Sequence, residues 1–455
     1  MRFALTADPW IPVLTDTGMA TRNLIDAFAA DVITVACGDD LEDTAITRLM
    51  LAVQIAANQA GSEPADWLDA HRDRFDIFDP ERPFWQNADM ARFDEQPGAI
   101  RPIITASYRH VGNKSVAVNL WHTASGVTYS PAAAARLLVV RQQFSVGGLQ
   151  SSYGKIPRSA KTAIAVNRPL LWLDTGRLAE SMRCTAALTA DRPAGTFWFT
   201  WPNDHKPTDT GEPTGILDAL TWPARSILLR DTSTDVVAGI MICEGVRWPE
   251  PASGADQHDL ALIPHTVYAR KKASDPYTAQ GVHPSRLIWR QLATMCADPD
   301  NPAAPWQATA AELNARWRLG GLGSYQSAIF GPLTGSFPAP RDPATLATFL
   351  ADLTEAYQRI GSAAGSLAGA ISGADGYTPA IPSHTSLAAR AEPLAEQLAT
   401  GQIDLEHTQK ALGVITDELL ARAYGAVARV RPRAAGRTAA RKTNATSRAT
   451  KSPKQ

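Results

Sequence analysis

The side chains that could carry catalysis are few and scattered. The nine histidines include no pair at metal-ligand spacing, and the four cysteines (Cys37, Cys184, Cys243 and Cys296) form no CxxC. A phosphate-cradling GxxxxGK[ST] loop, a GxSxG nucleophile elbow and an HExxH zinc site are all missing from the sequence. Gly320-Gly321-Leu322-Gly323 is dense in glycine, but it fails the dinucleotide fingerprint at its last position and follows no clear strand. A single His265 or His283 reads as a structural or surface histidine, and the Asp39-Asp40 pair reads as a helix cap. The sequence therefore points away from bond-making and toward binding. What it does offer is aromatic side chains beside Pro-fixed turns, glycine pairs and short basic runs.

The elements that would position these residues fall into three stretches. The chain has 455 residues, 45% hydrophobic and 20% charged, with 44 Lys+Arg against 45 Asp+Glu. That composition excludes a wholly disordered, collagenous or supercharged chain, and the length suits two or three domains. The near-zero net charge hides an asymmetry. From Arg429 to Gln455 there are nine basic residues and no acidic one, which leaves 35 basic against 45 acidic residues in 1–428, a body charge of −10. The tail is rich in Ala, Thr, Ser and Arg and has too little apolar surface to offset ordering entropy, so it is expected to be disordered. As a tail it is either merely solvated or a source of non-specific phosphate attraction. No apolar run is long enough to span a membrane, and the N-terminus has no signal-peptide pattern, so a cytoplasmic protein is expected.

All 12 tryptophans lie between Trp10 and Trp317, so the packing is expected to change after them. Residues 1–340 read as a large mixed α/β domain without βαβ alternation. A helix is expected over Leu41–Asn58, capped by Asp40, and strands over Ala163–Val166, Leu170–Leu173, Ile227–Leu229 and Val236–Cys243. Residues 341–428 read as a helical bundle. Asp342-Pro343 is an N-cap followed by Pro at the first helical position, and Leu346, Phe349, Leu350, Leu353, Tyr357 and Ile360 share one face. A second helix runs from Ser383 toward Thr400, kinked or split by Pro393, and a third from about Asp404 to Ala428. The expected class is α+β: a mixed α/β domain, a C-terminal helical bundle, then a disordered basic tail over 429–455.

Several strings are unusual in combination. They are Asp8-Pro9-Trp10-Ile11-Pro12-Val13; Trp67-Leu68 with Arg82-Pro83-Phe84-Trp85-Gln86; the segment 215–225, which ends Thr221-Trp222-Pro223-Ala224-Arg225; and the segment 265–272, which leads to Leu287-Ile288-Trp289-Arg290. Taken alone, their Trp and Phe side chains read as core. In this order and spacing they resemble the large subunit (CasA family) of the type I-E CRISPR surveillance complex Cascade, over roughly Asp8 to Val427.

The resemblance implies a non-catalytic subunit that needs no cofactor. Such a subunit reads the PAM in double-stranded target DNA, opens the duplex for crRNA pairing and helps to recruit a helicase-nuclease, alongside other Cascade subunits. It implies three reading elements. Gly147 and Gly148 match a glycine loop, whose missing Cβ lets backbone approach the groove. Lys271 or Lys272 matches a lysine that reaches into the groove. Tyr325, Gln326 and Ser327 match a wedge carrying glutamine. Lys155, Arg158, Lys161, Arg168 and Arg270 are candidate phosphate contacts, which fix position without reading sequence. Asn119 and Trp121 match a loop that meets crRNA and a neighbouring subunit.

Two departures stand beside the resemblance. Some relatives hold zinc with cysteine pairs that this chain lacks, so no metal is expected. The family bundle has four helices where three are legible here; either part of the tail folds onto the bundle or the fourth helix is lost. Two other readings compete, a structural scaffold subunit that does not read a PAM and a diverged nuclease.

Overall fold

The helix Asp40–Ala60 is the element around which the first part of the chain is built. Every residue from Thr44 to Ala57 is buried, the signature of a helix packed on all sides rather than on one stripe. Its cap is Asp39, one residue before the position expected: the Asp39 carboxylate accepts from the amides of Leu41 (2.8 Å) and Glu42 (3.3 Å). Asp40 lies in the first turn and instead accepts from the Thr334 hydroxyl at 3.0 Å. Gly61, at φ 66°, ends the helix in the left-handed conformation.

The computed structural model describes residues 2–108, 126–151, 153–154, 156, 159–199, 201–202, 206–233, 235–249, 261–270, 272–283, 287–325, 328–371 and 384–428. Two compact units divide the chain: 1–295 with 300–339, and 296–299 with the chain from 340 onward. The tail 429–455 lies outside the described residues.

In the first unit the central helix is flanked by the helices Pro131–Gln143, Leu178–Ala187 and Ile216–Thr221. Three small antiparallel sheets surround this core. One orders Gly18–Arg22, Ile11–Thr15 and Val32–Val35; another orders Arg101–Pro102, Val237–Glu244 and Arg225–Thr232. The third orders Ala328–Pro338, Arg316–Tyr325 and Leu170–Asp174. Ala163–Val166, expected as a strand, is extended only at Ala163; Ile164–Val166 open the short helix Ile164–Asn167. Its apolar run is too short for periodicity to separate strand from buried helix.

The aromatic strings are core. The Trp10 indole donates to Leu5 O at 2.9 Å, and the Trp85 indole to Thr221 O at 2.8 Å. Trp67, Phe75, Phe197 and Phe199 form a ring-on-ring cluster with centroid separations from 4.6 to 6.3 Å. Burying each such ring is worth about 1.5–3 kcal/mol. Gln86 is buried beside this cluster; its amide donates to Ile77 O at 2.7 Å and accepts from Leu229 N at 2.8 Å, which joins the 82–86 string to the strand Arg225–Thr232.

The second unit is helical: Pro343–Ile371, His384–Ala399 and Leu405–Ala428 pack pairwise. Asp342 caps the first of these, accepting from the amides of Ala344 (3.0 Å) and Thr345 (3.2 Å). These bonds, with that from the Thr345 hydroxyl, hold its carboxyl below the usual range. Leu346, Phe349, Leu353, Tyr357 and Ile360 form the buried face, with Leu350 at its margin. The helix His384–Ala399 runs unbroken through Pro393. Arg359–Asp417 and Arg390–Glu418 ion pairs link the helices on their exposed sides.

Candidate nucleic-acid interface

The glycine turn is held from several directions. Gly148 and Leu149 pair with Ala160 and Ser159 in a two-residue ladder. The Gly147 amide donates to the Thr162 hydroxyl at 3.1 Å, and Ala163 N donates to Ser145 O at 2.8 Å. A Cβ on Gly147 would stand 2.8 Å from Thr162 Oγ1 and 3.0 Å from Ala160 O, closer than the turn can accept. Gly148, at φ 143°, is exposed, and a Cβ built on it would meet nothing within 4 Å. Leu149 beside it is 78% exposed.

Beneath the turn lies Arg225, a residue of the Thr221–Arg225 string to which the sequence attached no role. It is 1% exposed, and its guanidinium donates to main-chain carbonyls only: Lys161 O and Ala224 O at 2.7 Å, Val146 O at 3.2 Å and Ser145 O at 3.4 Å. Burial, with repulsion from Arg141, pushes it down to about 9, so it still carries its charge at neutral pH; Glu244, its partner in the strand ladder, favours that charge. Glu244 is itself buried, accepting from Lys161 N at 2.9 Å and from Arg247 at 2.7 Å. Gln142 brackets the main chain of Arg225, accepting from its amide at 2.9 Å and donating to its carbonyl at 2.8 Å. Lys161 therefore has its backbone fixed at both amide and carbonyl while the residue itself is exposed. Lys155 and Arg158 lie outside the described residues.

The lysine run sits on a second small ladder, in which Tyr268 and Ala269 pair with Ala279 and Thr278. Arg270 is occupied within this hairpin. It donates to Asp300 at 2.7 Å and to Ala273 O at 3.1 Å, and its guanidinium lies 4.7 Å from the centroid of the Tyr277 ring. These contacts give Arg270 a holding role at the base of the turn. Lys272 is exposed on the turn; Lys271 lies outside the described residues.

Tyr325, the first wedge residue, ends a strand of the longest hairpin of the described residues: Arg316–Tyr325 pairs with Ala328–Pro338 as far as Tyr325 opposite Ala328, and the register shifts between Gly323 and Ser324. Gln326 and Ser327 lie outside the described residues, as do Asn119 and Trp121. The glycine-dense run is thus a strand, and its glycines serve close packing. A Cβ on Gly320 would stand 2.4 Å from the Thr44 hydroxyl, and one on Gly321 2.8 Å from Pro169.

The chain beyond the glycine turn and the chain beyond the lysine hairpin both meet the long hairpin. The helix Ile164–Asn167 follows the glycine turn directly and packs against the strand Arg316–Tyr325. The space at Gly281, two residues beyond the lysine hairpin, borders Asn167, and that at Gly321 borders both Pro169 and Val282. Asn167, Pro169, Gly281 and Val282 therefore form one contact region at the middle of the long hairpin.

Elsewhere the titratable groups are built for structure. His265 is buried and held down to about 4 by burial, which leaves it neutral at physiological pH. Burial pushes the Cys243 thiol up to about 12 and raises Cys37 further. Among the described residues no three His, Cys, Asp or Glu side chains are grouped to hold a metal ion, and no helix is long and apolar enough to cross a membrane.

This α+β arrangement recurs in solved structures. Thermobifida fusca Cse1 superposes with a TM-score of 0.70 over 95% of this chain and 97% of its own, at 19% identity. A chain of a CRISPR RNA-guided surveillance complex superposes with a TM-score of 0.67 over 93% of this chain and 99% of its own, at 16% identity. In sequence, CasA/Cse1 of Thermus thermophilus is 28% identical over 323 residues, which span 65% of this chain and 60% of that relative's length. Residues 4–412 match the CRISPR-associated protein Cse1 family, and the chain belongs to that family, the large subunits of type I-E Cascade.

Proposed function

We propose that the chain acts as a PAM-reading subunit within a crRNA-bearing Cascade complex, without itself cutting the DNA. In this reading the Gly147–Gly148 turn lays exposed backbone against the minor groove, a lysine of the 271–272 pair enters the groove, and Gln326 separates the first base pairs. The observation that supports it is how the chain beyond each element converges: Asn167 and Pro169, beyond the glycine turn, border Gly281 and Gly321, and Val282, beyond the lysine hairpin, borders Gly321 of the strand that ends at Tyr325. With the body of the chain at −10, phosphate attraction has to come from local groups such as Lys161 and Lys272 and should be salt-sensitive. The described part of the helical bundle, with the basic tail, is the region assigned to the displaced strand and to receiving a helicase-nuclease.

The test is target binding by reconstituted complex carrying Gln326→Ala or Lys272→Ala. The reading predicts at least a tenfold loss on a duplex with the correct flank and little change on a target already melted around the flank. Equal binding by wild type and both variants would favour a scaffold that does not read a PAM. Incubation of the isolated chain with duplex and magnesium or manganese separates this reading from a nuclease, which would yield cleavage products.

A further inference from the structure

We propose that Arg225 is the positioning residue for the glycine turn: its buried charge is a main-chain clamp that sets the shape in which Gly147 and Gly148 meet DNA. The inference rests on the reading of that turn as a DNA contact, and it adds a residue and a physical cause.

A two-residue ladder such as Gly148–Leu149 with Ser159–Ala160 is marginal by itself, because it fixes little chain for the loop entropy that it must close. Both glycines add backbone freedom that folding has to remove. Arg225 supplies what the ladder lacks. One guanidinium reaches Ser145 O and Val146 O on the incoming side of the turn and Lys161 O on the returning side, so a single rigid group ties the two sides together. All three of these bonds come from Nη2, while Nη1 donates to Ala224 O and so fixes where Nη2 sits; a lysine ammonium would have no second nitrogen to anchor it there. The clamp is itself fixed: Gln142 holds its main chain on both sides, and Glu244 lies across the ladder with one oxygen on the Lys161 amide. Lys161 is thereby gripped at both backbone groups, which fixes this exposed residue just beyond the strand that pairs with Gly148. The side chain of Arg225 is buried and donates hydrogen bonds only to backbone, so its part in DNA reading is indirect.

Two variants are compared in reconstituted complex, Arg225→Lys and Thr162→Ala. The first keeps a buried charge but loses the Nη1 bond to Ala224 O that positions the donor. The second removes the hydroxyl that accepts from Gly147 N, together with the threonine methyl, at an exposed position. Two quantities are read: amide hydrogen exchange over 144–150 and 159–163, and the ratio of affinities for duplexes with correct and scrambled flanks. For Arg225→Lys the clamp predicts at least tenfold faster exchange in both segments and at least a tenfold fall in the ratio, with assembly into the complex retained. For Thr162→Ala it predicts less than a threefold change in the ratio. Unchanged exchange in Arg225→Lys overturns the clamp. If Arg225→Lys fails to fold, Thr162→Ala still decides: loss of the full discrimination there would show that the local bond, not Arg225, holds the turn. Faster exchange in Arg225→Lys with an unchanged ratio would leave the clamp standing and count against the turn as a PAM contact.

Discussion

Gly147 and Thr162 approach so closely that the glycine amide donates to the threonine hydroxyl at 3.1 Å and a Cβ on the glycine would stand 2.8 Å from the same oxygen. The backbone neighbours Ala160 O and Thr162 N would be at 3.0 Å, so relief cannot come from a side-chain rotation alone. Gly147→Ala should therefore displace the turn while leaving the distant core intact. The expected result is at least a tenfold weaker grip on flank-matched duplex by gel shift, with a melting temperature within a few degrees of wild type. A variant that binds as wild type would show that the turn does not need this shape.

Arg270 and Lys272 are two residues apart and should behave differently. Arg270 holds Asp300, Ala273 O and the Tyr277 ring, so Arg270→Ala should lower stability by about 1 kcal/mol in chemical denaturation, a modest figure because Asp300 is exposed. Lys272 is exposed, and Lys272→Ala should leave stability unchanged while reducing the slope of log affinity against log salt by about 0.9, as for the loss of one phosphate contact. The reverse pattern would exchange their roles.

His265 sets a pH dependence of stability with a defined sign. Its pKa is held down to about 4 in the folded chain by burial, against an ordinary value of 6.5. Above 6.5 the imidazole is neutral in both states and costs nothing. As pH falls from 6.5 toward 4 the unfolded chain takes up a proton that the folded chain refuses, and stability drops by up to about 1.4 kcal/mol per pH unit. In His265→Gln this part of the acid loss should vanish, so denaturation curves of variant and wild type should converge in shape above pH 6.5 and diverge below it. Parallel pH profiles across the whole range would mean that His265 is not the group responsible.

Much of this fold is legible in the sequence because the signals are local. Asp342-Pro343 announces the bundle, Gly401 at φ 72° ends its second helix, and the face Leu346–Ile360 follows simple helical spacing. The errors arise where context decides. Asp39 and Asp40 are equivalent as caps until the backbone at Asp39 turns extended and aims its carboxylate at two amides. Ala163–Val166 is too short for its period to be read. The run Gly320–Gly323, notable in the sequence only as a failed dinucleotide fingerprint, is a strand whose missing side chains make room for Thr44 and Pro169, residues remote in sequence. Of the candidate interface, Gly147, Gly148 and Lys272 could be named only through the family resemblance, since a glycine pair alone reads as an ordinary turn and a basic run as a solvated face. Arg225 could not, since an arginine that spends its charge on backbone carbonyls leaves no pattern in spacing. The one hint was an arginine closing an otherwise apolar string, Thr221-Trp222-Pro223-Ala224-Arg225.

The most direct test of the account is to purify the Cascade complex without this subunit, add the chain back, and measure binding to a matched duplex bearing either the cognate or a randomised trinucleotide flank. The account predicts that the added chain restores tight binding only on the cognate flank, by at least tenfold over the randomised one. Restoration that ignores the flank would contradict it and leave the chain a scaffold.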